Sequence, residues 1–342
     1  MGARLSDVAK RAAVSVKTVS NVVNGSARVA PATRARVQKA IDELGYRPNL
    51  SARHLRQGRT GIIALAVPDL TVPYFSELAT LVIAEAKKRA VTVLIEDTGG
   101  DRATERAIAR GHSSSLIDGV ILSPLALRRR DLTDDVGRVP LVLLGERDYA
   151  RAGDHVLIDN VAAAREATTH LLDLGRERIA VIGADAQETG RQRLRGYREA
   201  LAARGVPVRD ELVPSTGPFT RATGAAVMRD LLALPAPPDA VFCFNDLLAL
   251  GAQRTVLAAG LRVPGDVAIA GFDDIEDGRY ATPSLTTIAP DKTQIARLAV
   301  SLLLDRIDTA ETDRQPVLIE AGHELVIRES TTGGPDCTRD RS

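Results

Sequence analysis

From Leu5 to Asn24 the chain reads LSDVAKRAAVSVKTVSNVVN. Leu5, Val8, Ala9 and Ala12 fall at helical intervals, as do Val19, Val22 and Val23, so the segment predicts two short helices, each with one apolar face, joined at Ala13-Val14-Ser15. Such faces must bury each other, which is the pattern of a helix-turn-helix. Ser15 stands where its side-chain oxygen caps the second helix, and Val16, Lys17 and Asn21 then point away from the packed side. A third helix is expected from Pro31 to Leu44, with proline at its first position, Val37, Ala40, Ile41 and Leu44 on one face, and Gly45 ending it. Three helices close one small core.

Charge separates this head from an ordinary helical bundle. Met1 to Arg59 holds 12 Lys or Arg against 3 Asp or Glu, a net +9, while the remainder holds 33 basic and 41 acidic residues, a net −8. A basic head on an acidic body suits phosphate neutralisation, because Lys and Arg displace condensed counterions while the body is kept off the nucleic acid.

Beyond the head, apolar strand runs alternate with helical stretches. Gly61 to Val67, Val91 to Ile95, Gly119 to Ser123, Leu141 to Leu144, Ile179 to Ile182, Ala240 to Phe244 and Val267 to Ala270 read as buried parallel strands. Phe75 to Arg89, Val161 to Leu174, Gln192 to Arg204, Thr220 to Leu232 and Asp246 to Ala259 read as helices. The expected fold class is therefore an all-α head followed by an α/β body in which a doubly wound pattern is played twice. Ligands of such sheets bind beyond the carboxyl ends of the strands, which singles out Asp69, Tyr74, Phe75, Ser123, Asn245-Asp246 and Asp273-Asp274.

Several function classes find no support. No Gly-rich dinucleotide fingerprint, P-loop or nucleophile elbow follows the strands, so neither an enzyme nor a cofactor is expected. His54, His112, His155, His170 and His323 show no metal-ligand spacing and read as surface or packing residues; no metal is expected. Cys243 lies in an apolar strand and Cys337 in the polar tail, which argues against a disulfide framework. No apolar run approaches a membrane span and the N-terminus lacks the hydrophobic stretch of an export signal, so a cytoplasmic location is expected.

The run DVAKRAAVSVKTVSNVVNG from Asp7, followed by Val29, Thr33, Arg34, Val37, Leu44-Gly45-Tyr46 and Pro48-Asn49, resembles the head of the lactose-repressor (LacI/GalR) family of bacterial transcription regulators. Similarity continues through LGRERIAVIG at Leu174, FNDLLALGA at Phe244, VAIAGFDD at Val267 and PSLTTI at Pro283, to about Ser330. The resemblance implies a DNA-binding head at 1–48, a hinge helix or linker at 49–60 and an effector-binding, dimerising core at 61–330 of the periplasmic-binding-protein fold. Its N-lobe would take about 61–158 and 290–316, its C-lobe about 159–289 and 317–330, and a flexible tail would follow at 331–342.

Residue roles follow from the same resemblance. Val16, Lys17 and Asn21 occupy the base-reading positions: Lys17 suits guanine O6 and N7, Asn21 pairs with adenine or touches only backbone, and Val16 offers an apolar surface. Ser15, Thr18, Ser20, Asn24 and Thr33 match phosphate contacts. In the hinge Asn49, Ala52 and Leu55 meet DNA, Leu55 standing where a leucine wedges into the minor groove and bends the duplex. Arg193 in RQRLRGY matches the effector-binding arginine, Asp273 the carboxylate, Asn245 the amide and Phe219 an aromatic against the ligand.

That set suits a sugar, because an Arg fork and a carboxylate bind neighbouring hydroxyls while an aromatic covers a C–H face. Each residue also has an ordinary reading: Arg193 as a surface charge, Phe219 as core, Asp273 as a cap. The expected function is a repressor of carbohydrate-utilisation genes, relieved by a small sugar or sugar phosphate. A purine or nucleoside effector is the alternative, and a sugar-binding protein without DNA function is the rival of another class. Implied partners are a near-palindromic DNA operator and a second copy of the chain; no leucine heptads follow the body, so a homodimer is expected. Two positions depart from the family pattern. Ala13 replaces the usual Gly, which strains the turn if positive φ is needed, and Ala30 replaces the usual Ser, leaving the third helix without an N-cap.

Overall fold

The computed structural model describes residues 3–23, 29–46, 59–111, 116–132, 139–147, 149, 152–184, 187–309 and 315–333. The chain divides into two compact units, Met1–Gly61 and Ile62–Ser342. In the first, α1 (Leu5–Arg11), α2 (Val16–Val23) and α3 (Pro31–Leu44) bury Val8, Ala9, Ala12, Val19, Val22, Val37 and Ala40 among themselves. The local rules hold in detail. The Ser15 hydroxyl accepts the Thr18 N–H at 3.0 Å and so caps α2. Ala13 takes φ 51°, the left-handed conformation in which a residue with a Cβ strains the turn. Ala30 supplies no side-chain cap, Pro31 opens α3, and Gly45 closes it at φ 59°. An Arg11–Glu43 pair at 2.6 Å ties α1 to α3.

The second unit carries two sheets. One contains β1 (Ile62–Val67), β2 (Thr92–Asp97), β3 (Gly119–Leu122), β4 (Leu141–Leu144), β5 (Asp154–Ile158) and, much later, β10 (Leu318–Ala321), in the order β10-β5-β4-β3-β1-β2 and parallel throughout. The other contains β6 (Ile179–Ile182), β7 (Ala240–Cys243), β8 (Ala268–Phe272), β9 (Thr286–Pro290) and β11 (His323–Val326), in the order β11-β9-β8-β7-β6 with only β11 antiparallel. Helices α4 (Pro73–Lys88) and α5 (Arg102–Ala109) belong to the first lobe. The second lobe holds α6 (Asn160–Asp173), α7 (Glu188–Ala203), α8 (Arg221–Leu232), α9 (Asp246–Ala258), α10 (Glu276–Arg279) and α12 (Glu329–Thr332). The long α11 (Lys292–Thr309) returns to the first lobe and packs on α4, β3, β4 and β5. The chain thus passes between lobes after Ile158, after Pro290 and at Gly322.

Three sequence expectations change. β2 is a half-exposed edge strand and not a buried one, with Thr92, Leu94 and Asp97 outward. Leu318–Ala321 pairs in register with His155–Ile158, so the last crossing falls at Gly322 and not before Val317. A flexible tail beginning at 331 is overturned for its first residues: Thr331 is buried in α12, its hydroxyl 2.7 Å from that of Thr286, and Ser330 beside it donates to the Ile269 carbonyl at 2.6 Å.

Elements absent from the sequence reading have a physical reason for escaping it. β5 begins Asp154-His155, too polar to read as a buried strand, yet Asp154 is fully buried. Arg306, on α11, covers it with two bonds at 2.5 and 2.7 Å, and the Val317 N–H adds a third at 2.8 Å. That partner lies 152 residues away in sequence.

Candidate functional site

Between the lobes, beyond the carboxyl ends of both sheets, lies a cleft of about 520 Å³. In the first sheet the chain reverses direction of travel between β1 and β3, and Asp69 and Ser123 stand just past those two strands. Asp69, Tyr74, Phe75, Ser123, Arg193, Phe219, Asn245 and Asp273 all line this one cleft.

Arg193 is its most constrained member. On the inner face of α7 and only 5 % exposed, it donates Nε to Asn160 Oδ1 at 2.7 Å and a terminal nitrogen to the Phe244 carbonyl, and its guanidinium lies 3.3 Å from the centroid of the Phe272 ring. The surface-charge reading is thereby overturned. Burial lowers its pKa from the ordinary value while Asp273 opposes that effect.

Asp273 follows β8 with φ 112°. Its carboxyl is pushed up to about 7, chiefly by burial, against the pull of Arg193 and then Lys292. Tyr74, whose ring meets Phe75 edge-on at 5.2 Å, has its phenol pushed above the usual range by burial and then by Asp273.

Asn245 has two duties. Its Oδ1 accepts the Leu248 N–H at 2.9 Å and caps α9, while its amide nitrogen reaches the Phe219 carbonyl at 3.5 Å. Phe219 is half-buried, packing on both neighbouring apolar clusters while also lining the cleft. Asp69 accepts the N–H and hydroxyl of Thr71 at 2.8 and 2.7 Å. The neighbours Asp246 and Asp274, which also follow strands, serve the framework. Asp246 is fully buried, accepts from Thr287 Oγ1 at 2.6 Å and the Ile275 N–H at 3.0 Å, and is held well above its ordinary pKa by burial and then by Asp273. Asp274 pairs with Arg328 and Arg279, each at 2.6 Å.

Sequence reasoning missed Glu146. It lies just past β4, so the strand-end rule that found Asp69 and Ser123 applied to it equally. From the first lobe its Oε2 accepts the Thr189 hydroxyl of α7 at 2.8 Å, and its carbonyl accepts from Gln192 Nε2 at 3.1 Å. A second clasp joins the lobes where Lys292 Nζ meets the Glu77 carboxylate and donates to the Asp273 and Asp274 carbonyls at 2.9 and 3.0 Å. Glu105 escaped notice too. Fully buried on α5, it accepts the N–H groups of Leu125, Ala126 and Leu127 at 2.7 to 2.9 Å and so fixes the loop that carries Ser123 and Leu125 to the cleft.

In the head, Val16 and Lys17 are exposed at the start of α2, Asn21 half-buried one turn on. Ser15 is exposed with its hydroxyl 2.8 Å from that of Thr18; Thr18, Ser20 and Thr33 are half-buried. Asn24, Asn49, Ala52 and Leu55 lie outside the described residues. His155 is buried with its Nε2 2.5 Å from the Gly145 carbonyl, and His170 bonds Thr331 at 2.9 Å. Among the described residues no group of three or more His, Cys, Asp or Glu side chains is placed to hold a metal, and no helix is long and apolar enough to cross a membrane.

Against known proteins, residues 4–49 match the family "Bacterial regulatory proteins, lacI family" and residues 168–331 match "Periplasmic binding protein-like domain". The HTH-type transcriptional repressor CytR of Escherichia coli (strain K12) is 35% identical over 335 residues, 97% of each chain. A solved transcriptional regulator CelR–cellobiose complex has a TM-score of 0.70 at 35% identity, covering 96% of this chain and 99% of that one. The lac repressor dimer bound to operator and the anti-inducer ONPF has a TM-score of 0.78 at 26% identity, covering 97% and 99%.

Proposed function

The chain belongs to the lacI family of bacterial regulatory proteins, DNA-binding transcription regulators, and from that premise we propose that it represses carbohydrate-utilisation genes until a sugar enters the cleft. The observation that carries the effector half is the convergence of Arg193, Asp273, Asn245 and Phe219, far apart in sequence, on one cavity. Arg and carboxylate address vicinal hydroxyls, the amide adds a donor, and the aromatic covers a ring face. The cellobiose-bound relative supports a sugar as the class. The DNA half rests on α2, whose exposed Val16 and Lys17 suit a major groove, and phosphate contacts are assigned to Ser15, Thr18, Ser20 and Thr33. Asn24 and the hinge residues Asn49, Ala52 and Leu55 complete that contact.

A two-fold dimer on a near-palindromic site follows from the few base pairs one head reads, and the lac repressor complex is itself a dimer. Sedimentation giving a single dimeric species is the check. We take the protein to act in the cytoplasm, where its operator is, and to release its ligand unchanged. Effector and operator then alter each other's affinity by one common factor, typically about 5 to 150-fold. A thermal-shift screen of sugars and nucleosides, followed by gel-shift titration with each hit, tests the whole reading. One sugar should raise the melting temperature and loosen operator binding; indifference of operator binding to every metabolite overturns it.

A further inference from the structure

The charges around the cleft go beyond the choice of a sugar. Its lining carries four acidic side chains, Asp69, Glu146, Glu188 and Asp273, against two guanidiniums, Arg147 and Arg193; Glu188 is paired with Arg191 and burial pushes the Asp273 carboxyl up to about 7, so the negative charge rests mainly on Asp69 and Glu146. Both cations also serve the protein: Arg193 gives one N–H to Asn160 and one to the Phe244 carbonyl and keeps its remaining N–H groups for a ligand's hydroxyls, while Arg147 donates to the Leu127 carbonyl. A site for a phosphate monoester needs the reverse, several donors and cations left for the dianion's oxygens.

Resting on the sugar reading above, we propose that the cleft accepts an uncharged, unphosphorylated sugar, and that Glu146 is the residue that turns phosphorylated sugars away. Glu146 reaches from the first lobe across to Thr189 on the second, so a ligand between the lobes lies beside its carboxylate. Its charge is felt by Asp273, Tyr74 and Arg193 together, three groups that surround the same space. One phosphate brought beside Glu146 and Asp69 meets like charge in a partly desolvated cavity, where water screens little. A neutral sugar meets acceptors for its hydroxyls.

The test is calorimetry on the full chain with glucose, trehalose, sucrose and cellobiose, each beside its 6-phosphate. The proposal expects at least one uncharged sugar to bind and its phosphate to bind 100-fold or more weakly. Glu146→Gln keeps an acceptor for Thr189 and removes the charge, and should narrow the discrimination about tenfold at low salt. A phosphate binding as tightly as its parent sugar overturns the proposal and leaves the sugar reading standing. Discrimination unmoved by Glu146→Gln overturns the role given to Glu146. Binding of neither member of any pair removes the sugar reading and this inference with it.

Discussion

Asp273 shows at the scale of one residue how a binding site costs stability. Its carboxyl titrates near 3.8 when unfolded and about 7 in the fold. Between those values the native state holds a proton that the unfolded state has released, so stability falls as pH rises through that window, and the loss is complete above it. Asp273→Asn has no such dependence. Scanning calorimetry should therefore find the variant gaining on its parent between pH 4 and pH 8, by on the order of a few kcal/mol. Arg193→Lys tests the opposite wall: a lysine retains the charge but not the fork, and sugar affinity measured by calorimetry should fall about 100-fold, the worth of two charge-assisted hydrogen bonds.

Among the elements, the turn between α1 and α2 carries an avoidable strain. Ala13 sits at φ 51°, where an L-side chain costs roughly 1–2 kcal/mol and glycine does not. Ala13→Gly should stabilise the head by about 0.5–1 kcal/mol after the added freedom of the unfolded chain is counted. Hydrogen-exchange protection of the Val8, Val19 and Val37 amides in the intact protein would read this out. Ser15→Ala acts the other way, removing the α2 cap at about 1 kcal/mol, and unchanged protection of α2 would refute the capping role.

Across the whole molecule, Lys292 is the cross-lobe contact with most to lose. It lies at the start of α11, just after the second crossing, and holds a carboxylate of α4 and two carbonyls of the second lobe at once. Lys292→Met should cost about 1–3 kcal/mol, since Glu77 keeps some water and the carbonyls lose a charged donor. Urea unfolding measures this, and a midpoint equal to the parent's would show that the clasp contributes nothing.

Much of this protein is local enough to be read directly. The three head helices, Ser15 as a cap and the strands β1, β3, β4, β6, β7 and β8 depend on period, turn chemistry and neighbours within a few residues, so the sequence alone determined them. The strand-end rule also reached Asp69, Ser123, Asn245 and Asp273, because in wound sheets the ligand side is the carboxyl side. Only the tertiary structure decided the rest. Asp154 in a buried strand depends on Arg306, three N–H groups of a cleft loop depend on Glu105, and β10 joins the first sheet only after the chain has crossed twice. In each case a buried charge or an unpaired backbone group is satisfied by a partner distant in sequence, and no periodicity records who that partner is.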